Sequence, residues 1–232
     1  MPILRTLPKI WHGFRIGQQR DAHEFLTIYL EAILNSSFAE TPTRVHVIKN
    51  QAQTPLFKIF GGTLRSQIKC ERCSYTSDTF DETFTLNLPL PRGNEECTFQ
   101  KSLHQFFSID KLTKDNKYLC PTCKSRQNAT KRLSVNHAPR VLVVTIKRFD
   151  MFGRKISKSL QYPAAFNLKQ FTSTAIDRKV SEQEVPDVKY DLYGVVIHQG
   201  ATTNSGHYYA YCKSTSGKWY DCNDSFIGPI SE

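Results

Sequence analysis

Long apolar runs are missing from this 232-residue chain. No stretch approaches the roughly 20 consecutive apolar residues that a spanning helix needs, which excludes a membrane bundle. The opening residues, Met1-Pro-Ile-Leu-Arg-Thr-Leu-Pro8, lack a secretory signal's charged start, long apolar stretch and cleavage site. The chain therefore reads as soluble and intracellular. Internal repeats, low-complexity tracts and long linkers are absent as well, which leaves one continuous domain with a projecting subregion. Acidic residues are in deficit: 21 Asp+Glu stand against 31 Lys+Arg, a net charge of +10. No block of Lys and Arg interleaved with aromatics marks a nucleic-acid site, so nucleic acid is not an expected partner. The excess reads instead as a solvated cationic surface.

What is present fits a folded domain. Hydrophobic residues make up 39% and charged residues 22%, with 15 Phe and 10 Tyr. That is too aromatic for a disordered chain and too polar for a membrane bundle. The length suffices for one sizeable domain or two small ones, each with a core.

Apolar residues at Ala22, Phe25, Leu26, Tyr29, Leu30, Ile33 and Leu34 recur at helical spacing, which predicts a helix over 21–34 with Asp21 as N-cap. A shorter helix is expected over Lys101 to Phe107. Leu56 to Lys69, Tyr75 to Leu88, Arg140 to Phe149 and Asp191 to His198 are rich in β-branched and aromatic residues and read as strands. Segment 172–188 is the most polar stretch and reads as a mobile loop.

Near the C-terminus a hairpin can be read by register. Tyr208 to Cys212 alternates, Ser214-Thr-Ser-Gly217 is a turn signal, and Lys218-Trp-Tyr220 resumes the strand. A turn centred near Thr215 or Ser216 places His207 opposite Asn223 or Asp224, where facing side chains lie about 5 Å apart. Such a pair is either a catalytic geometry or a satisfied polar pair at a strand end. Gly206 is expected to leave room for a substrate backbone to approach.

Seven cysteines are an odd number, and four of them form two Cys-x-x-Cys pairs, Cys70-Glu-Arg-Cys73 and Cys120-Pro-Thr-Cys123. Outside a secreted protein that pattern points to metal rather than disulfides. Two tight loops offering four thiolates match the closed tetrahedral coordination of structural zinc, which would staple two distant hairpin ends together. Ordinary buried thiols are the bland alternative. Cys97, Cys212 and Cys222 stay unpaired and read as small hydrophobes, with a reactive role for Cys212 or Cys222 conceivable because the hairpin His is near.

Taken together, six segments resemble the ubiquitin-specific protease family. They are Gly17-Gln-Gln-Arg-Asp-Ala-His-Glu-Phe-Leu26, Gly62-Thr-Leu-Arg-Ser-Gln-Ile-Lys-Cys70-Glu-Arg-Cys73, Val141-Leu-Val-Val-Thr-Ile-Lys-Arg-Phe149, Tyr190-Asp-Leu-Tyr-Gly-Val-Val-Ile-His198, Gly206-His-Tyr-Tyr-Ala-Tyr211 and Trp219-Tyr-Asp-Cys-Asn-Asp224. The resemblance runs from about residue 13 to the C-terminus, in the family's order. It implies an α+β, papain-like fold: a mostly antiparallel β palm, zinc-tied β fingers over about 60–135, and a partial helical thumb, with 136–232 forming the palm. It implies structural zinc on Cys70, Cys73, Cys120 and Cys123. It matches His207 to the general base, Asn223 to the third triad member, and Asp224 to a neighbouring acid that assists polarisation or the oxyanion. Asp21 and Glu24 match acids that meet the arginine-rich tail of ubiquitin, where charge-assisted hydrogen bonds suit them. His23 and His198 read as packing or hydrogen-bonding residues.

One part of the family pattern is missing. The family's nucleophile sits in a segment resembling Gly-Leu-x-Asn-x-Gly-Asn-Thr-Cys-Tyr, well upstream of the Gln-x-Asp-Ala-x-Glu-Phe stretch, and no Cys lies among the 16 residues before Gly17. The expectation is a deubiquitinase, cleaving after ubiquitin's C-terminal glycine, whose nucleophile lies upstream of this N-terminally truncated chain. The alternative is a catalytically inactive ubiquitin-binding or scaffolding protein. Ubiquitin and ubiquitinated proteins are the expected partners, with no membrane partner, in the cytoplasm or nucleus.

Overall fold

The structure, a computed structural model, describes residues 2–38, 51–91, 96–177, 181, 184–202 and 205–230. In chain order these form helices α1 (Pro2–Ile10), α2 (Ala22–Ser36) and α3 (Pro55–Phe60), strands β1 (Gly62–Cys70), β2 (Thr76–Thr83) and β3 (Thr85–Pro89), and helix α4 (Phe99–Phe106). Strands β4 (Ile109–Leu112), β5 (Tyr118–Cys120), β6 (Ser125–Gln127), β7 (Ala129–His137), β8 (Val143–Lys147) and β9 (Ala165–Asn167) precede helix α5 (Ser173–Asp177). Strands β10 (Lys189–Asp191), β11 (Gly194–Thr202), β12 (Ser205–Lys213), β13 (Trp219–Asn223) and β14 (Phe226–Ile230) complete the chain. The class is mixed α+β with mostly antiparallel pairing, as expected. No described helix is long and apolar enough to cross a membrane.

The chain divides into two compact units. The first takes residues 1–56, 148–158 and 191–232, and the second takes 57–147 and 159–190.

In the first unit, α2 follows the predicted apolar stripe, with Leu30 and Leu34 buried; in the preceding segment Leu7 and Trp11 are buried too, the Trp11 ring 6.5 Å from that of Phe25. Asp21 is its N-cap, accepting from the Glu24 amide at 2.8 Å. That bond satisfies one of the four amides a helix start leaves unpaired. The sheet of this unit runs β11-β12-β13-β14, all antiparallel. Its first connection carries an irregularity between Gln199 and Thr202. Its second is the predicted turn, closed by Ser214 N donating to Lys218 O at 2.8 Å with Gly217 at φ 83°.

In the second unit, β2-β1-β7-β4 form a four-stranded antiparallel sheet, while β3 and β8 pair in parallel. The core joins Leu86 and Leu88 of β3 to Phe99 and Leu103 of α4, with Phe107, Val135, Leu168 and Phe171 around them. The Phe107 and Phe171 rings stack at 4.8 Å. Thr98, rather than Lys101, starts α4: its hydroxyl accepts from the Lys101 amide, so the helix begins two residues earlier than periodicity suggests.

Two expectations need correction. Residues 56–60, expected as the start of a strand, belong to helix α3; Pro55 is acceptable at a helix start, and Gly61 closes it by donating to Phe57 O at 2.7 Å. A short apolar run does not distinguish buried helix from buried strand. Segment 172–188, read as a mobile loop, contains α5, and Ser173 and Val185 within it are buried. Residues 178–180 and 182–183 of that segment lie outside the described residues. What holds the segment is a buried cation. Arg65 on β1 is 6% exposed and donates to both carboxylate oxygens of Asp177 at 2.7 and 2.8 Å. Its Nε donates to Ser134 Oγ at 3.2 Å, and Ser134 in turn meets Ser173 Oγ at 2.8 Å. A guanidinium taken from water needs such a paired, hydrogen-bonded setting, and removing one partner of a buried pair costs about 3–5 kcal/mol.

Candidate active site and metal centre

The hairpin β12–β13 sets the first site. Ala210 faces Cys222, Tyr211 faces Asp221 and Cys212 faces Tyr220. Continuing that register puts His207 opposite Ser225, so His207 and Asn223 are diagonal neighbours rather than directly opposed, a correction to the expected alignment. The offset is even, and strand side chains alternate with period two, so both still share one face of the sheet. His207 Nε2 lies 2.6 Å from Asn223 Oδ1. A carbonyl oxygen only accepts, so Nε2 carries a proton, and in the neutral imidazole Nδ1 then keeps its lone pair.

Asp224 follows in the turn between β13 and β14, exposed and at φ 53°. Asn223 pairs with Phe226 across this two-residue loop, and an Asp tolerates the positive φ that the first central position demands.

The residues flanking His207 are held by the segment that leads into α2. Gln19 Nε2 donates to Gly206 O at 2.6 Å, and Gly206 N donates to Gln19 Oε1 at 2.9 Å. Tyr208 Oη donates to Asp21 Oδ2 at 3.2 Å. Asp21 therefore has two intramolecular tasks, the helix cap and this hydroxyl. Glu24 is exposed in the first turn of α2. The space expected beside Gly206 is taken: a Cβ there would collide with the His198 ring. His198 packs as anticipated, against Tyr208 at 4.7 Å between ring centres and Phe149 at 6.1 Å. Burial and the nearby Lys155 ammonium hold its pKa below the ordinary histidine value. His23 sits inside α2, its carbonyl accepting from Thr27 Oγ1 at 2.9 Å.

Cys212 and Cys222 share the face of Tyr208 and Ala210, the side away from His207. Burial and the neighbouring Cys222 push the Cys212 thiol above its usual range. A thiol held protonated on the far face is not placed as a nucleophile for His207.

The second site lies in the other unit, where Cys70, Cys73, Cys120 and Cys123 bring four sulfurs within 4.8 Å of one another. Two similar loops build it. Cys70 ends β1 and Cys120 ends β5; the residue after each second cysteine, Ser74 or Lys124, takes a positive φ of 60° or 52°. Cys70 pairs with Ala129 on β7, just after β6 returns from Cys120, which brings the loops together. Cys73 Sγ and Cys120 Sγ are 3.6 Å apart. Zinc–sulfur bonds of about 2.3 Å put tetrahedral sulfurs about 3.8 Å apart, so the donor set fits one zinc ion. Burial pushes the Cys120 thiol up but the Cys123 amide, donating at 3.5 Å, and the neighbouring sulfurs outweigh it, leaving it near about 7. Cys123, half-buried, is pushed up to about 12 by its hydrogen bond to Cys73, by partial desolvation and by the neighbouring Cys120. Four thiols this close resist losing all their protons unless a cation balances them.

The clasp of Gln19 on Gly206 and the tie from Tyr208 to Asp21 are additional to the residues expected from the sequence. Neither has a local signal, because each joins residues 187 positions apart.

The family model described as ubiquitin carboxyl-terminal hydrolase matches residues 2–232. Ubiquitin carboxyl-terminal hydrolase 25 of Arabidopsis thaliana is 36% identical over 92% of this chain and 31% of its own length. Probable ubiquitin carboxyl-terminal hydrolase 16 of Schizosaccharomyces pombe is 36% identical over 99% of this chain and 48% of its own length. Among solved structures, the Ubp8 subunit chain of the SAGA deubiquitinating module bound to ubiquitin aldehyde superposes with a TM-score of 0.82 at 31% identity, covering 99% of this chain and 50% of that one. The chain thus spans less than about half the length of the curated relatives it matches. With its fold, its hairpin pair and its four-cysteine cluster on the page, the chain belongs to the ubiquitin carboxyl-terminal hydrolase family.

Proposed function

We propose that this chain carries the general base and the orienting amide of a thiol-dependent deubiquitinase that cleaves the bond after ubiquitin's C-terminal glycine. The observation that supports the reading is the 2.6 Å contact of His207 Nε2 with Asn223 Oδ1, which leaves Nδ1 as the proton acceptor. In the reaction Nδ1 takes the thiol proton, the thiolate attacks the carbonyl carbon, and the imidazolium returns the proton to the leaving amine. Water then hydrolyses the thioester with the same base. Asn223 fixes the tautomer and ring orientation throughout. Asp224, next in the turn, assists polarisation. The thiol comes from a segment of the Gly-Asn-Thr-Cys-Tyr type that the family resemblance implies.

Ubiquitin is the partner this reading calls for, and the family neighbour bound to ubiquitin aldehyde supports it. Glu24, exposed at the start of α2, meets an arginine of the ubiquitin tail, with Asp21 behind it. Cys70, Cys73, Cys120 and Cys123 hold structural zinc; a closed four-thiolate shell leaves no position for substrate.

One observation favours a second reading, ubiquitin binding without cleavage. Both cysteines in the unit of His207 face away from it. A fluorogenic ubiquitin C-terminal amide separates the two. The 232-residue chain should not turn it over, and a protein extended at its N-terminus by a Cys-bearing segment should, losing activity with His207→Ala. Binding of ubiquitin by both proteins with turnover by neither would favour the second reading. Turnover by the short chain that disappears with Cys212→Ala or Cys222→Ala would overturn the assignment of the nucleophile.

A further inference from the structure

The backbone on either side of His207 is gripped in a way the triad does not require. Gly206 N–H and C=O are both engaged by one side chain, the Gln19 carboxamide, at 2.9 and 2.6 Å. A primary amide presents a donor and an acceptor side by side, as one residue of an extended strand presents its N–H and C=O, so Gln19 pairs with Gly206 as a residue of a neighbouring strand would. That substitute is needed at this place. The β11 register is irregular between Gln199 and Thr202, and the described β13 pairing reaches only as far as Ala210.

The grip is itself anchored. Arg20 donates to Gly13 O at 2.5 Å and lies 5.5 Å over the buried ring of Trp11. Asp21 is fixed by capping α2 and accepts from Tyr208. Gln19 therefore holds the backbone of position 206 in the plane of the sheet and Asp21 holds the side chain of position 208 on one face, while Asn223 holds His207 on the other. The His198 ring leaves no room for a side chain at position 206, so the backbone is confined from that side too.

We propose that Gln19 is a positioning residue for His207, fixing through the Gly206 peptide the backbone from which the imidazole projects. The inference rests on the reading of His207 as the base. Its consequence is that Gln19 controls where Nδ1 points without touching substrate. Small displacements of a catalytic group, on the order of 1 Å, can cost about a hundredfold in rate.

The test combines two measurements so that the positioning role and the enzymatic role can fail separately. The first is 15N NMR of the His207 imidazole in the 232-residue chain. Wild type should show the Nε2–H tautomer fixed by Asn223, and Gln19→Ala should give a mixture of tautomers with little change in melting temperature. Gln19→Glu keeps the acceptor for Gly206 N–H but loses the donor, and its spectrum should fall between the two. The second is turnover of the fluorogenic ubiquitin amide by the N-terminally extended protein. There Gln19→Ala should lower kcat about tenfold to a hundredfold and leave KM within about twofold. An unchanged His207 spectrum in Gln19→Ala would overturn the proposal. So would a raised KM with kcat intact, which would put Gln19 on the substrate. A changed spectrum in a protein whose wild type has no turnover would uphold the positioning role and refute the deubiquitinase reading.

Discussion

His207 and Asn223 meet at 2.6 Å although they are not cross-strand partners; the hairpin register makes them diagonal neighbours on one face. A contact of this kind depends on side-chain reach and strand twist, so it tolerates little change at position 223. Asn223→Ala should cost roughly 10²–10⁴ in kcat in the extended protein, the range of a general-base contribution, because the imidazole loses its fixed tautomer. Asn223→Asp should keep most activity, since a carboxylate accepts from Nε2 equally well. Steady-state kinetics of the two variants side by side checks this; equal losses would mean that the side chain only fills space.

One zinc ion per chain is expected at Cys70, Cys73, Cys120 and Cys123. Cys70→Ser should lower zinc content and thermal stability together, because metal binding at a closed thiolate site is also folding energy. A strong chelator should loosen the strands around β5 and β6 before the sheet that carries His207. Elemental analysis with hydrogen exchange measures both. Protein purified without chelator and found free of zinc would refute the assignment.

Asp21 and Glu24 should separate. Asp21 caps α2 and accepts from Tyr208, so Asp21→Ala should destabilise by about 0.5–2 kcal/mol through the lost cap. Glu24→Lys should leave stability nearly unchanged and weaken ubiquitin binding, since an exposed carboxylate is available to an arginine partner. Calorimetric binding beside thermal melts distinguishes the two effects. A sharp stability loss in Glu24→Lys would contradict the division of labour.

The His198 ring sets a pH limit on the fold. Burial first, and the Lys155 ammonium second, lower its pKa below the ordinary histidine value of about 6.5. The unfolded chain therefore binds a proton at higher pH than the folded one does. Stability is fully present above about 6.5 and is lost as the pH falls toward the lower folded value. His198→Phe should flatten that part of the curve, measured by urea midpoints between about pH 7 and 5. An unaltered slope would assign the acid sensitivity to other groups.

Much of this architecture was legible in local chemistry. The α2 stripe, its Asp21 cap, the turn at Ser214–Gly217 and the paired cysteines are written in spacings of a few residues, where backbone geometry leaves few alternatives. The family resemblance then supplied roles that no spacing could. Other features were decided only in three dimensions. Whether 55–60 coils or extends depends on what it packs against, since its apolar run suits either state. The helix within 172–188 is stabilised by Arg65, which stands 112 positions from Asp177. The register that makes His207 and Asn223 diagonal follows from where the connection closes, with Lys213 paired to Trp219, slightly beyond the centre that the turn residues suggest. The Gln19 clasp on Gly206 spans 187 positions and involves an exposed, chemically ordinary amide. Local sequence determines conformations that short-range sterics and hydrogen bonds select; long-range pairing is chosen by the burial and satisfaction of groups that only the folded chain brings together.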